Sequence, residues 1–516
     1  MLVQGECFHG FLQVEHRQDN TTNFDGVVLL GTVAVAIFIQ PILLYLLDLK
    51  GLRKFPAPSY AALSSLWRIS HNLRCRHFLA IHQAHESLGT HVRIAPNHVS
   101  ISDPGAVNEI YGHGASLLKD AFYDGGAGQH RNMADARVKS EHQFKRKTLA
   151  HIFAQKTIAG LEPVISRGIT NLVKQVDKHA ASGVDINMRR YLNYFTIDVF
   201  SNLLYGEPLG CLDRGDDVVK AETPAGRVYE VPFIKTLHKA TIIGTALGME
   251  ATLLPLSRKL FAWHSYKQAG LDYENIIYHN TRRRLQNKDA EGDIFSKLLK
   301  NGKGEVLNLS PGQILAECGV MMNAGTDTTT AALTNTIYLL CKHPKVLAKL
   351  REELDAAGLC DEVPSYEAVA KLPYLRACIE ESLRLRPASS MGLPRVVPKG
   401  GRVLAGEFIS EGVTVSVPTY TLLRNPDAFE NPAEYNPDRW STGNREKMAQ
   451  CHLPFSTGPR ACIGRNIAYF EQLLVISTLV RLFDFEFLDS EFELVTLERF
   501  NSNPGELVLS CRRRQI

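Results

Sequence analysis

Residues 455–464 read Phe-Ser-Thr-Gly-Pro-Arg-Ala-Cys-Ile-Gly and lead into an apolar helical pattern over residues 467–482. A cysteine just before a helix N-terminus has its thiolate favoured by the helix dipole and by free backbone N–H groups. Gly458 and Gly464 let the backbone fold closely around the sulfur of Cys462. The stretch therefore predicts a loop that holds an anionic sulfur, whereas the chain's other cysteines are expected to be inert.

Composition bounds the remaining possibilities. The chain has 516 residues, and its ten cysteines show no C-x-x-C pair and no regular spacing, which gives no support for a disulfide framework or a structural zinc site. The 58 Lys and Arg against 54 Asp and Glu leave a net charge of +4, too small for a nucleic-acid coat. The length allows either several domains or one large enzyme.

A long central helix is predicted to begin at the capping box of residues 310–313 and to end before Pro344. Its middle, residues 324–329, reads Ala-Gly-Thr-Asp-Thr-Thr, a poor sequence for an uninterrupted helix because Gly, Thr and Asp weaken it. The pattern suggests a kink or groove with a use. The alternative is that Thr328 and Thr329 only bond back to helix carbonyls.

Other elements follow from periodicity. Further helices are predicted within residues 171–180, 271–286, 313–341 and 346–357. Strand-like alternation runs through residues 92–110 and recurs over residues 396–417. The fold class expected is therefore mainly α with small β-sheets.

These stretches resemble the cytochrome P450 family. Residues 455–464 match its haem-thiolate signature F-x-x-G-x-R-x-C-x-G at every fixed position, and residues 324–329, 381–387 and 437–440 match three further motifs in the family's order. Residues 111–154 are similar to those of fungal microsomal members, both benzoate-hydroxylating enzymes and enzymes of secondary metabolism. The resemblance implies the P450 fold, a haem b cofactor (iron protoporphyrin IX) and monooxygenase activity.

The resemblance also implies roles for individual residues. Cys462 is the expected axial ligand of the haem iron, with Asp327 and Thr328 organising the waters that deliver protons on the opposite face, where Gly325 leaves room for oxygen. Further cofactor-binding residues expected from the motifs are Phe455, Gly458, Arg460, Arg395, Arg146 and His142. Glu381, Arg384 and Arg439 resemble the family's buried charge triad, which is structural.

The front of the chain is set apart by composition. Residues 26–47 carry no charge and are long enough to span a bilayer, although a cleaved signal peptide is the alternative. Lys50, Arg53 and Lys54 follow the span and predict a cytosolic side after it. The expectation is a lumenal segment (1–25) with a glycosylation sequon at Asn20, an anchor (26–47), a proline-containing linker (48–59) and a cytosolic haem domain (60–516), held by the endoplasmic reticulum membrane.

Electrons are expected from NADPH through NADPH-cytochrome P450 reductase, with cytochrome b5 as a second candidate donor. Membrane lipid is a further expected partner, and nucleic acid is not. Lys139, Lys145 and Lys147 are a candidate reductase-docking patch, with a solvated helix face as the alternative.

The substrate-facing segments, around Phe122, Tyr123, Met322, Met391 and Phe500, are rich in apolar and aromatic residues. They predict a small apolar or aromatic substrate, oxidised in fungal secondary metabolism. Three alternatives remain open: a haem-thiolate isomerase or dehydratase that needs no external electrons, a benzoate-type aromatic-acid hydroxylase in catabolism, and a haem carrier or sensor without turnover.

Overall fold

The computed structural model describes residues 39–287, 292–300 and 303–515. The chain divides into two compact units, residues 1–49 and residues 50–516. Most of the predicted membrane span, the predicted lumenal segment and Asn20 lie outside the described residues, and α1 (Gln40–Leu47) is the described helix of the first unit.

Helices dominate the second unit. In chain order they are α2 (Leu66–Leu73), α3 (His77–Leu88), α4 (Gly105–Tyr111), α5 (Lys139–Leu149), α6 (Gln155–Ala159), α7 (Glu162–Ser182), α8 (Met188–Tyr205), α9 (Cys211–Arg214), α10 (Phe233–Gly248), α11 (Leu254–Leu260), α12 (Ser265–Gln286), α13 (Ile294–Leu298), α14 (Pro311–Lys342), α15 (Pro344–Ala356), α16 (Tyr366–Val369), α17 (Pro373–Leu385), α18 (Thr419–Leu422), α19 (Arg439–Thr442), α20 (Arg445–Cys451) and α21 (Arg465–Leu482).

The strands are short and form small sheets, as the fold class predicts. In chain order they are β1 (His91–Ala95), β2 (His98–Ile101), β3 (Leu118–Lys119), β4 (Ile186–Asn187), β5 (Val218–Glu222), β6 (Val228–Pro232), β7 (Arg395–Val396), β8 (Arg402–Leu404), β9 (Glu407–Ile409), β10 (Thr414–Ser416), β11 (Phe483–Phe487), β12 (Thr496–Arg499), β13 (Asn501–Pro504) and β14 (Val508–Arg513).

The largest sheet has five strands in the order β1-β2-β10-β7-β3. β10 runs parallel to β2 and antiparallel to β7, and β3 pairs antiparallel with β7. A second sheet has the order β11-β14-β4, and the pairs β5-β6, β8-β9 and β12-β13 stand as separate hairpins. The five-stranded sheet thus brings chain segments near residues 100, 119, 395 and 415 side by side.

The central helix α14 is 32 residues long, or about 48 Å. Both bonds of its capping box are present, since the Ser310 hydroxyl accepts the Gln313 N–H and the Gln313 side chain accepts the Ser310 N–H. The helix continues without interruption through residues 324–329. As the alternative held for Thr328, its hydroxyl donates to the Ala324 carbonyl at 2.7 Å, and the kink or groove stays a prediction.

The core of the second unit lies where helices α7, α8, α14, α17 and α21 pack on one another. Helix α21 is buried on nearly all sides along most of its length, as expected for a helix inside a large core. Three of the four predicted helical stretches fall within observed helices, and the fourth, residues 346–357, extends one residue past the end of α15. Residues 105–111 differ from the strand prediction, because Asp103 accepts the Gly105 N–H and Pro104 precedes it, both features of a helix start.

The segment predicted as a linker is partly packed into the second unit. Leu52 and Phe55 are buried in an apolar cluster, and the Pro56 carbonyl accepts the Arg93 N–H at 2.8 Å. Residues 52–56 therefore do not form a free joint. Among the described residues no single helix is long and apolar enough to cross a membrane, and only α10 taken together with residues 251–260, bent by 102°, meets both conditions.

Candidate functional site

The loop that carries Cys462 is closed by backbone contacts. The Cys462 N–H donates to the Phe455 carbonyl at 2.9 Å, and a 3-10 turn occupies Gly458–Arg460 between them. Gly458 has φ +71°, and a Cβ there would collide with the Tyr111 carbonyl. A residue with a side chain at this position would push the loop away from α4, so the glycine sets the position of the cysteine.

The Cys462 side chain faces open space inside the protein. Its surface is accessible, yet burial raises the pKa of the thiol, with the N–H groups of Gly464 and Arg465 and the charge of Arg146 acting in the opposite direction. Accessible surface on a side chain that protein atoms surround indicates a cavity. The effect of burial on the Cys462 pKa is larger than the combined effect of the loop N–H groups and Arg146. The thiolate predicted from sequence therefore requires a further cation close to the sulfur.

A group of basic side chains lies close to the cysteine loop, where Arg146 is near the Cys462 sulfur and His142 is near Arg460. Lys119 and Arg395 lie directly opposite each other on β3 and β7, and both are buried. Burial, followed by the charges of Arg395 and Arg460, lowers the pKa of Lys119 well below its usual value. Burial and the charge of Arg460 lower the pKa of His142 to about 4. Like charges this close repel one another, so the cluster is suited to an anion.

Neutral acceptors hold these basic groups in place. The Arg460 guanidinium donates to the Ala136 carbonyl at 2.7 Å, and burial with repulsion from Arg395 lowers the Arg460 pKa to about 10. Arg395 donates to the Tyr123 hydroxyl at 3.1 Å. Arg146 donates to the Ala461 carbonyl at 2.6 Å, which ties α5 to the cysteine loop. The guanidinium groups are therefore oriented by neutral atoms.

The residues fit haem. An anionic sulfur that requires a cation and a cluster of basic groups that requires an anion match the iron and the propionates of haem. Lys119 was missed by the sequence reasoning, since only the pairing of β3 with β7 brings it beside Arg395. Lys145 differs from the expected docking patch because it pairs with Glu317 at 3.0 Å and is largely buried.

The α14 wall presents Ala324 and Thr328 to open space. Ala324 is exposed although most of the helix around it is buried, and Thr328, one turn later, is half-buried. Gly325 contradicts its predicted role, because a Cβ there would collide with the Phe200 ring of α8. Its missing side chain thus permits the packing of α14 on α8, and Ala324 is the small residue on the open face.

Asp327 lies at the centre of a buried polar network. Its carboxylate accepts hydrogen bonds from His238 Nε2 at 2.9 Å, Asn501 Nδ2 at 2.9 Å and Asn503 Nδ2 at 2.8 Å. Burial alone would raise the Asp327 pKa, but His238 and the two amides outweigh it and hold the pKa below its usual value. Asp327 is therefore a carboxylate anion, and α10 and β13 supply partners that the sequence gave no reason to expect.

Glu381, Arg384 and Arg439 come together as a buried charge cluster. Glu381 accepts from Arg384 at 2.8 and 2.9 Å and from Arg439 at 2.9 Å, while the Trp440 indole N–H donates to it at 3.0 Å. Arg384 also donates to the carbonyls of Leu423, Pro432 and Glu434. The cluster joins α17 to the segment of residues 423–440, which leads toward the cysteine loop.

Apolar side chains line the predicted substrate side. The Phe122 and Phe500 rings stack with centroids 6.3 Å apart, and both belong to one apolar cluster with Met391. Phe500 has φ +84°, which fixes a tight turn between β12 and β13. Met322, which was also predicted to face the substrate, instead packs in the helical core. The Phe455 ring packs against the Tyr469 ring with their centroids 4.9 Å apart, beside the cysteine loop.

Comparison with known proteins yields one family and many relatives. The family model described as Cytochrome P450 matches residues 55–509. Benzoate 4-monooxygenase bphA of Aspergillus niger is 33% identical over 504 residues, covering 94% of this chain and 97% of that protein. Cytochrome P450 monooxygenase ORF11 of Penicillium roqueforti is 30% identical (86% and 91% covered), and averantin hydroxylase of Dothistroma septosporum is 29% identical (93% and 91% covered).

Proposed function

This chain belongs to the cytochrome P450 family of monooxygenases, and we propose that it binds haem b through Cys462 and inserts one oxygen atom of O2 into a small apolar or aromatic substrate. The observation that carries the proposal is the accessible side chain of Cys462 in a loop that lies beside a cluster of basic residues. Bound haem supplies the activation of oxygen, which an axial thiolate favours.

The protein's own residues hold the two ends of the cofactor. The N–H groups of Gly464 and Arg465 and the positive charge of Arg146 stabilise negative charge on the Cys462 sulfur. Arg395 and Arg460 would neutralise the propionates, and Lys119 and His142 would donate hydrogen bonds to them. The propionates would in turn relieve the repulsion among these groups and raise the pKa of Lys119 and of His142.

Thr328 and Asp327 would handle protons on the substrate side. The Thr328 hydroxyl donates its hydrogen to the Ala324 carbonyl, so its oxygen lone pairs remain to accept a hydrogen bond from water. Asp327 is fully hydrogen-bonded as an anion, and it would accept a proton only when His238, Asn501 or Asn503 releases it. His238 thereby becomes a positioning residue for Asp327.

The substrate is proposed to be neutral and apolar or aromatic, held by the shape of the pocket around Phe122, Met391 and Phe500. Fungal secondary metabolism is the proposed context, in keeping with averantin hydroxylase among the relatives. A second candidate is an aromatic acid, favoured by the likeness to benzoate 4-monooxygenase. Arg499 supports it, because it is half-buried, lies within electrostatic reach of Asp327 and His238, and forms no ion pair with any described residue.

Electrons are proposed to come from NADPH through NADPH-cytochrome P450 reductase, with cytochrome b5 as a second donor. Lys139 and Lys147 remain exposed on α5 and are available for docking. The enzyme is proposed to be a single-pass protein of the endoplasmic reticulum, with residues 26–47 as anchor and residues 60–516 as the cytosolic domain.

The test is expression of the full chain in a microsomal host. We expect the thiolate-type absorption of the reduced carbon monoxide complex, lost in Cys462→Ser, and product formation that requires both NADPH and the reductase. Product formed without NADPH would instead favour an isomerase or dehydratase. The two substrate classes are separated by measuring the affinity of benzoate and of uncharged aromatic compounds for wild type and for Arg499→Gln. Only an acid should lose affinity in the variant.

A further inference from the structure

A second cavity, of about 220 Å³, lies away from the cysteine loop. Its walls come from α3, α14, the end of α17, α18 and the start of β12, at residues such as Phe78, Asn335 and Arg386. Cys462, Thr328 and the basic cluster at Arg395 and Arg460 do not line it. None of Phe122, Met391 and Phe500 lines it either, although its lining residue Phe78 belongs to the same apolar cluster as they do.

Three arginines line this cavity, and no carboxylate does. Arg386 donates to the Thr496 hydroxyl at 3.1 Å and to the Leu494 carbonyl at 2.9 Å, and Arg424 donates to the Leu385 carbonyl at 2.6 Å. Arg76 is exposed at the rim. Among the described residues none of the three arginines forms an ion pair, so their charges are available to an anion.

A buried polar group also faces the cavity without a partner. Asn335 is 2% exposed, and its Oδ1 atom accepts no hydrogen bond. Its Nδ2 atom makes one long bond, to the Arg386 carbonyl at 3.4 Å. An unsatisfied amide oxygen destabilises the protein unless a donor reaches it. A water molecule held beside a bound carboxylate would supply that donor, because one of its O–H groups can reach Asn335 Oδ1 while the other donates to the carboxylate.

The remaining lining residues are mostly apolar, with Ser390 and Thr496 as the polar exceptions. Phe78, Leu79, Leu385 and Val495 contribute side chains, and the Tyr420 ring lies 3.6 Å below the Arg424 guanidinium. A cavity of roughly 150 Å³ suffices for benzene, so this one has room for a substituted ring. Apolar walls and guanidinium groups together favour an organic anion over an inorganic one.

We propose that the cavity at Arg76, Arg386 and Arg424 is a binding site for a small organic carboxylate. The carboxylate lies among the guanidinium groups and the apolar body lies against Phe78 and Leu385. This site is separate from the oxygenation site, and its occupancy does not depend on the proposed function.

The experiment is isothermal titration of the full-length holoprotein with benzoate, with the haem absorption recorded in parallel. Benzoate at the cavity binds without changing the haem absorption, whereas benzoate near the iron changes it. We expect a binding event that is silent at the haem, much weaker for uncharged benzamide and for inorganic phosphate. The silent event should persist in Cys462→Ser, which separates this site from the haem site.

Substitutions at the rim identify the site. Arg76→Gln should weaken the silent event about fivefold, Arg76→Glu should weaken it further, and Arg76→Lys should nearly preserve it. Arg74→Gln is the matched control, because Arg74 is also exposed, two residues away, and does not line the cavity. Equal binding of benzamide or phosphate, an equal effect of the Arg74 and Arg76 variants, or no silent event would each overturn the proposal.

Discussion

Lys119 and Arg395 face each other on antiparallel strands of the five-stranded sheet, two buried basic side chains in directly opposed positions. Such a pair destabilises a sheet when it is left alone. Its presence beside Arg460 and His142 indicates that this part of the protein is completed by an anionic group, here the proposed propionates.

Replacing Lys119 by Gln should therefore loosen the cofactor. The amide can still donate to the Ala134 carbonyl, as Lys119 does, but it brings no charge. We expect haem release to an excess of apomyoglobin to become about tenfold faster, the loss of one charge-assisted contact. Lys147→Gln, an exposed lysine of α5, should leave the rate unchanged; an equal effect of both variants would show that total charge matters and not this position.

Gly325→Ala should destabilise the protein by about 1–3 kcal/mol, because the new methyl group collides with the Phe200 ring. Phe200→Leu in the same chain should recover part of that loss, as coupled neighbours do. Chemical denaturation of the two single variants and the double variant measures both effects. If Gly325→Ala were as stable as wild type but used oxygen differently, the packing role would be contradicted and the role predicted from sequence would be supported.

Glu381→Gln should cost about 3–5 kcal/mol, since it leaves the buried guanidinium groups of Arg384 and Arg439 without their carboxylate. The expected result is a protein that unfolds at much lower denaturant concentration. Glu367→Gln provides the comparison, because its ion pair with Lys371 is exposed and should make no measurable difference.

Glu498 predicts a dependence of stability on pH. Burial raises its pKa to about 8, despite hydrogen bonds from backbone N–H groups such as that of Phe78. A raised carboxyl pKa means that the folded state holds the proton longer than the unfolded chain, so stability falls as pH rises from about 4.5 to about 8. Glu498→Gln should remove this slope.

The variant should gain over wild type as pH rises, by on the order of 2–4 kcal/mol at pH 8, and the difference should stay constant above that. Thermal or denaturant unfolding at several pH values measures it. Glu491→Gln, an exposed neighbour, should follow the wild-type curve. A difference between Glu498→Gln and wild type that is the same at every pH would contradict the raised pKa.

The sequence predicted features that depend on short stretches of chain. The capping box at Ser310 and Gln313, the cysteine loop and the meeting of Glu381 with Arg384 one helical turn away are all of this kind. Contacts between residues far apart in the chain could not be predicted from the sequence. Neither the approach of Lys119 to Arg395 nor that of His238 to Asp327 has any local signal, because each depends on how separate elements pack.

Gly325 shows a different limit. Its place in a motif predicted a role on the open face, but a helix has several faces, and only the packing of α14 on α8 reveals which of them a residue occupies. The adjacent Ala324, whose side chain is only a methyl group, occupies the open face of α14.

Along β13, successive side chains of the hairpin formed with β12 point to opposite faces and contact different partners. Asn501 and Asn503 reach Asp327, while Ser502 bonds to Ser390 at 2.7 Å on the opposite face. Adding or deleting one residue would exchange the two faces and leave the Asp327 carboxylate without its amides. The proposed substrate pocket can therefore be altered by substitution at Phe500 but not by changing the length of this hairpin by a single residue.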